Sequence, residues 1–386
     1  MNYICKQPVC YFCDSLMTQP MTDHSIYKER SIQNRYINLE MLEACLNTRP
    51  ASALKILGKS VQGEPLYAFS LGKGETRILM WSQMHGNEST TTKAVWDMVN
   101  YLESNEGAAI LETCTLMIVP MLNPDGAKAY TRANANEVDL NRDAQELTQP
   151  ESQALRDLFE KFEPHYCFNL HDQRTLFSAG HSAKVATVSF LSPANNEERD
   201  ITPNREVAMK LIVAMNETLQ GMIPEQVGRY DDGFNANCVG DTFQMLGVPT
   251  ILFEAGHYPK DYMREDTRKY IFHALIKALT TISKGEIDKY STSDYFKIPE
   301  NEKLFYDILV HDPQVLNPKL DPGVSLGIRF KEILDGNRIL FRPELGDMGK
   351  LNGFYGHETF NCLDQKDLEL LSGHQEILDF IQNVKK

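Results

Sequence analysis

Three short segments carry residue types that could hold a metal and move a proton. In "MHGNEST", residues 84–90, His85 and Glu88 stand three apart at the end of an apolar run. Residues at that spacing in a tight turn or first helical turn project to one side, so both side chains can face one point. "CFNLH" ends on His171, and "FEAG" carries Glu254 at the end of another apolar run. Hydrolases typically hold zinc with two histidines and a carboxylate, leaving a fourth position for water. An HxxE by itself is common in polar turns, and His171 is what makes the pair a candidate metal site. Asp172, next in the chain, is a candidate partner for the His171 ring. His165, His181 and His257 read as ordinary polar residues.

The elements that must position these residues alternate. A helical lead-in over residues 38–46 precedes "GEPLYAFSLGKGETRILMWSQMHG", two apolar runs separated by "GKGE" that predict a hairpin. Residues 90–104 place Ala94, Val95, Met98, Val99 and Leu102 on one helical face, with Ser89 or Thr90 as the expected cap. The strand "CTLMIVPML" runs into the turn signal "NPDG". Thr148 and Glu151, with Pro150 between them, predict a capping box opening a helix that buries Leu155, Leu158, Phe159 and Phe162. The strand "HYCFNLH", a helix over 205–219, the strand "PTILFEAG" and a helix over 261–283 follow.

This alternation implies an α/β fold: a mixed, largely parallel twisted sheet flanked by helices on both faces. Sites in such sheets gather beyond the carboxyl ends of the strands. His85 with Glu88, "NPDG", His171 and Glu254 all fall at strand ends, so four segments deliver polar residues to one edge. After about residue 286 the pattern becomes short β-like runs broken by Pro, Gly and Asp, with a helical end. The expected organisation is an N-terminal extension (1–37), a catalytic domain (38–285) and a small β-rich C-terminal module ending in a helix (286–386).

The 386 residues are 42% apolar and 24% charged, enough for an ordinary globular core. A net charge of -14 argues against general attraction to nucleic acid or anionic membrane. No apolar run approaches the roughly 18 residues of a spanning helix. The first residues lack a basic start followed by an apolar stretch, and the eight cysteines are irregularly spaced. Both features predict a cytoplasmic protein with reduced thiols. Cys10 and Cys13 form a CxxC near Cys5 and His24, but no second CxxC completes a zinc ribbon.

Five motifs in order, "HGNE", "NPDG", "VDLNRD", "NLH" and "FEAG", resemble the zinc carboxypeptidases of peptidase family M14 over about residues 50–285. That family holds zinc with two histidines and a glutamate. The resemblance implies His85, Glu88 and His171 as the ligands of one zinc ion. It implies Glu254 as the base that takes a proton from a zinc-activated water and passes it to the leaving amine. Asn141 and Arg142 match the pair that binds a substrate's terminal carboxylate, where a guanidinium fork suits two oxygens. Arg132 resembles the oxyanion-stabilising arginine. Tyr230 lies in the region of the tyrosine that closes over substrate. Either Val239 or Asp241 sets the preferred chain end: valine for apolar residues, aspartate for Lys, Arg or diaminopimelate.

The expected activity is hydrolysis of the C-terminal peptide bond of a substrate with a free C-terminal carboxylate. The alternative is a zinc amidohydrolase of the succinylglutamate desuccinylase or aspartoacylase type, acting on small N-acyl amino acids, because that group shares HGNE-like and DLNR-like segments. A non-catalytic peptide-binding module would lack a ligand or the base, and here every such position is filled.

Overall fold

The computed structural model describes residues 22–385; Cys5, Cys10 and Cys13 lie outside the described residues. The central sheet has eight strands: β1 (Leu54–Lys59), β2 (Pro65–Gly72), β3 (Thr76–Ser82), β4 (Cys114–Val119), β5 (Tyr166–Asp172), β6 (Val188–Leu191), β7 (Val227–Arg229) and β8 (Thr250–Ala255). Their order is β1-β2-β4-β3-β5-β8-β6-β7. The interior runs β4-β3-β5-β8 are parallel, while β1, β2 and β6 join antiparallel. Ile78, Met80, Phe168, Ile251 and Phe253 are buried, as expected of strands covered on both faces.

The helices over Thr90–Leu102, Pro203–Gln220 and Glu265–Ser283 bury their apolar stripes in the main core, and the helix over Pro150–Phe162 buries Leu155, Leu158 and Phe159 in a second cluster with Trp81 and Phe243.

Three local expectations are corrected. β2 and β3 do not form a hairpin, because β4 inserts between them, antiparallel to β2 and parallel to β3. The "GKGE" segment crosses the start of β4 so closely that a Cβ on Gly74 would lie 1.8 Å from the Thr113 carbonyl carbon. The actual hairpin is β1–β2. The capping box does not form. Thr148 bonds Asp143 (Oγ1 to Oδ1, 2.8 Å), and the Glu151 carboxylate accepts from the Val61 amide and the Asn134 side chain. Neither Ser89 nor Thr90 caps its helix by a side chain. The Thr90 and Thr91 amides donate to the carboxylate of Asp172, at 2.9 and 3.3 Å. A carboxylate at a helix N-terminus satisfies free amides and complements the dipole whether or not it is adjacent in sequence.

"NPDG" is more than a turn. Asn123 accepts from the Gly126 amide and opens a short helix, Pro124–Ala129.

Residues 22–37 pack on the main body. Ile32 and Ile37 are buried, His24 bonds Asp97 at 2.7 Å, and the Arg268 guanidinium reaches the carbonyls of Glu29 and Ile32.

A second sheet contains β9 (Phe305–His311), β10 (Ser325–Asp335), β11 (Arg338–Gly349) and β12 (Tyr355–Asn361), in the order β11-β10-β9-β12. Helices Gln365–Ser372 and Gln375–Asn383 cover one face through Leu371, Ile377 and Ile381. The long β10–β11 hairpin turns at Gly336 and lays Phe330 and Phe341 against Tyr262, with ring centroids 5.4 and 5.2 Å apart.

Candidate metal centre and active site

The parallel register brings the polar strand ends together. His171 on β5 and Glu254 on β8 are directly paired positions of neighbouring strands. His85 follows β3, and the His85 carbonyl accepts the Glu88 amide at 3.1 Å in the turn that puts both side chains on one side. His85 Nδ1 lies 2.9 Å from Glu88 Oε1, and His171 Nδ1 lies 2.8 Å from Glu88 Oε2. The two Nδ1 atoms are 3.0 Å apart. All three side chains are buried. Two ring nitrogens this close, both turned on one carboxylate, form a donor set that a small cation fits. Its mix of imidazole nitrogen and carboxylate oxygen is the set zinc prefers in catalytic sites. Among the described residues this is the one group of three or more such donors converging within 4.8 Å.

The surroundings hold the ligands. His85 Nε2 lies 2.9 Å from Asp139 Oδ1, which sets the ring's orientation and leaves Nδ1 to face the metal position. Asp139 belongs to the "VDLNRD" segment, yet nothing in the sequence distinguished it from the flanking polar residues. The Asp172 amide donates to Glu88 Oε2 at 3.2 Å. The Asp172 carboxylate, expected to partner the His171 ring, is spent on the helix amides and on Arg35, 3.6 Å away. Burial opposes charge on His85, but Glu88 and Asp139 outweigh it and raise its pKa. Burial works against the Glu88 carboxylate too, yet the two histidines hold it well below the usual range. Burial brings His171 down to about 4. A buried glutamate kept ionised beside a neutral imidazole is what a cation needs, because ligands bind in deprotonated form.

A cavity of ≈ 540 Å³ opens beside this centre, and His85, Glu88, Arg132, Asn141, Arg142, His171, Tyr230, Asp241 and Glu254 all line it. All the candidate site residues named from the sequence except Val239 therefore line one cavity. Glu254 Oε2 is buried without a hydrogen-bond partner. Burial, then the charges of Glu88 and Asp172, push its carboxyl well above the usual range. Arg132 is exposed and bridges Glu88 Oε1 (3.3 Å) and Asp139 Oδ2 (3.0 Å). Arg142 Nη1 donates to the Asn141 carbonyl at 2.8 Å and reaches Cys238 Sγ at 3.4 Å. The Asn141 side-chain oxygen accepts the Val239 amide at 3.3 Å, so Asn141 is tied to the helix over Val239–Met245. Val239 itself is buried with Trp81 and Phe243, away from the cavity, whereas Asp241 forms part of its wall. Burial raises the Asp241 carboxyl to about 6.

An open α/β sheet with a histidine, histidine and glutamate cluster and a neighbouring buried glutamate at its carboxyl edge defines a metallohydrolase-type site. The sequence profile of the zinc carboxypeptidase family, M14, matches residues 39–273, and the chain belongs to that family. Carboxypeptidase 2 of Trichophyton rubrum is 30% identical over 110 residues, which are 28% of this chain and 20% of that protein. Mouse carboxypeptidase M is 28% identical over 211 residues, 46% of each chain. The chain thus spans less than half the length of these relatives. Among solved structures, a metallo-carboxypeptidase from Burkholderia cenocepacia superposes with a TM-score of 0.52 at 16% identity, covering 65% of this chain and 70% of that one. One from Pseudomonas aeruginosa gives 0.50 at 19% identity, covering 64% and 70%. These likenesses establish the fold. Among the described residues no helix is long and apolar enough to cross a membrane.

Proposed function

We propose that this chain is a zinc metallocarboxypeptidase that removes one residue from the carboxyl end of a peptide. The observation that carries the reading is the meeting of His85, Glu88 and His171 within 4.8 Å, in a cavity that also presents Glu254, Asn141 and Arg142. His85 Nδ1, His171 Nδ1 and the Glu88 carboxylate would hold the zinc. A zinc ion there supplies Lewis acidity, polarising the scissile carbonyl and lowering the pKa of a water.

The chain's own groups supply the rest. Glu254 Oε2, buried and unpartnered, takes a proton as water attacks and returns it to the leaving amine. Its raised affinity for a proton, caused by burial and the neighbouring carboxylates, suits an acid–base group better than an ordinary surface glutamate. Arg132 offers N–H donors to the oxygen that gains negative charge. Asn141 and Arg142 bind the terminal carboxylate, which restricts cleavage to the last bond. Asp241, rather than Val239, faces the departing residue, which favours Lys, Arg or diaminopimelate at the chain end.

An amidohydrolase acting on small N-acyl amino acids would use the same metal set. The ≈ 540 Å³ cavity shares five lining residues with a second one of ≈ 350 Å³, and this extended lining around the cluster supports the peptidase. Side-by-side assays of peptides and N-acyl amino acids, with zinc measured on the same sample, test the choice. Hydrolysis confined to N-acyl amino acids would reverse it.

A further inference from the structure

The second cavity has walls from three distant parts of the chain: Arg35, the strand-end residues Asp172–Thr175 with Tyr262, and the C-terminal hairpin through Phe330, Lys331, Glu332 and Phe341. It shares Glu88, Arg132, Asp172, Gln173 and Arg174 with the first cavity, so the metal centre stands at their junction. Asn141 and Arg142 line only the first cavity, so with the chain end held there the second space can take the part of the peptide retained after cleavage.

Its charges are unequal in a specific way. Each of its carboxylates is already engaged. Glu332 accepts two hydrogen bonds from Arg35, at 2.8 and 2.9 Å, and one from the Tyr130 hydroxyl. Asp307 accepts from the Tyr262 hydroxyl (2.9 Å), the Phe330 amide (2.8 Å) and Thr175 (3.2 Å). Asp172 caps the helix Thr90–Leu102, and Glu88 belongs to the metal centre. The Arg174 and Lys331 side chains, by contrast, are exposed and have no carboxylate or hydrogen-bond partner among the described residues. Two unpaired cations therefore face this space, in a chain of net charge -14. The aromatic wall of Tyr262, Phe330 and Phe341 offers apolar surface for the methylenes of a side chain.

We propose that this cavity, completed by the C-terminal hairpin, is an acyl-side subsite that selects an acidic side chain in the residue before the scissile bond. The proposal rests on the carboxypeptidase reading above for its sense of direction. Arg174 and Lys331 are its specificity-determining residues, and the substrate class is an acidic peptide.

The test compares peptides identical except for Glu, Gln or Lys at the residue before a C-terminal lysine. Turnover is measured on the zinc-loaded full chain, and equilibrium binding on its Glu254→Gln variant by calorimetry. Two exposed ion pairs predict a Glu-over-Gln preference of about fivefold in kcat/KM and in Kd, shrinking as salt is raised. Lys331→Glu and Arg174→Glu should each lower that ratio, and the pair together should invert it. Lys331→Arg should keep it, which separates charge from a general fault in folding. Equal handling of Glu and Gln, a preference for Lys, or a ratio unmoved by both charge reversals would overturn the subsite and leave the carboxypeptidase reading standing. Binding that favours Glu without hydrolysis of any peptide would overturn the carboxypeptidase reading and leave an anion-selective cavity. No binding of any peptide would overturn both.

Discussion

On the chain-end side of the proposed cleft, the walls come mostly from the "VDLNRD" loop, the segment 230–241 and β8, within the part of the chain that matches the family, with Lys303 and Arg329 added from beyond it. On the acyl side they come from Arg35, residues 172–175 and the hairpin at 325–349, parts separated by about a hundred residues or more. The first side is a set of local motifs gathered by a parallel sheet. The second exists only because a separate sheet packs over the metal centre and is latched there by Glu332. Under the proposed function, the comparison assigns the cut and the chain end mainly to the shared fold, and the sequence before the cut to an addition to it.

The sharpest way to break the first half of that comparison is Glu254→Gln. It should retain about one zinc per chain and lose kcat by roughly 10²–10⁴, the usual worth of a general base. Metal analysis and peptide turnover on one sample decide it, and an active variant would sink the mechanism. His85→Ala should instead lose the metal.

The latch on the second side is tested by Glu332→Ala. It strips the buried Arg35 of its bidentate partner and Tyr130 of its acceptor, leaving only Asp172 at 3.6 Å. Removing one partner of a buried pair costs about 3 kcal/mol, read as a lower denaturant midpoint. An unchanged midpoint would mean that the hairpin is held by the aromatic contacts alone.

Asp139→Asn leaves His85, Glu88 and His171 in place and weakens the grip on His85 Nε2, along with the ion pair to Arg132. Zinc affinity should fall by roughly 10–100-fold, the range for such outer partners, as measured by competition with a chelator. A value equal to wild type would remove Asp139 from the site.

The smallest expected effect is on pH. The Asp241 carboxyl, raised by burial to about 6, is neutral below that pH and ionised above it. Preference for a C-terminal lysine over leucine should therefore rise as pH increases through about 6. Asp241→Asn should flatten that rise and lower the preference by about tenfold or less, the scale of one partly buried pair. A pH-independent preference would return the choice to Val239 or another wall residue.

Much of the catalytic edge was legible because its chemistry is local in sequence. His85 and Glu88 share one turn, Asn141 and Arg142 are adjacent, and β5 and β8 carry His171 and Glu254 in matching register one residue before their ends. What misled were readings that assumed neighbours in sequence are partners in space. The "GKGE" hairpin failed because β4 inserts between its strands, and the capping box failed because Asp143 and Val61 claimed Thr148 and Glu151. Asp172 looked like a partner for the adjacent His171 ring, yet it caps a helix 80 residues away in the chain.

Residue types and spacing by themselves determined the α/β alternation and set His85, Glu88, His171 and Glu254 at strand ends, while the roles proposed for them and for Asn141 and Arg142 came from the resemblance to the family. The alternation follows from backbone periodicity, and His85 with Glu88, like Asn141 with Arg142, are neighbours in the chain. Only the tertiary structure decided that Asp241 rather than Val239 faces the cavity, since the short helix over Val239–Met245 sends these two positions to different environments. It alone assigned Asp139 to His85. It alone brought Arg35, Arg174 and Lys331 to one space, because contacts between residues so far apart are set by how sheets pack, and sequence spacing carries no record of that.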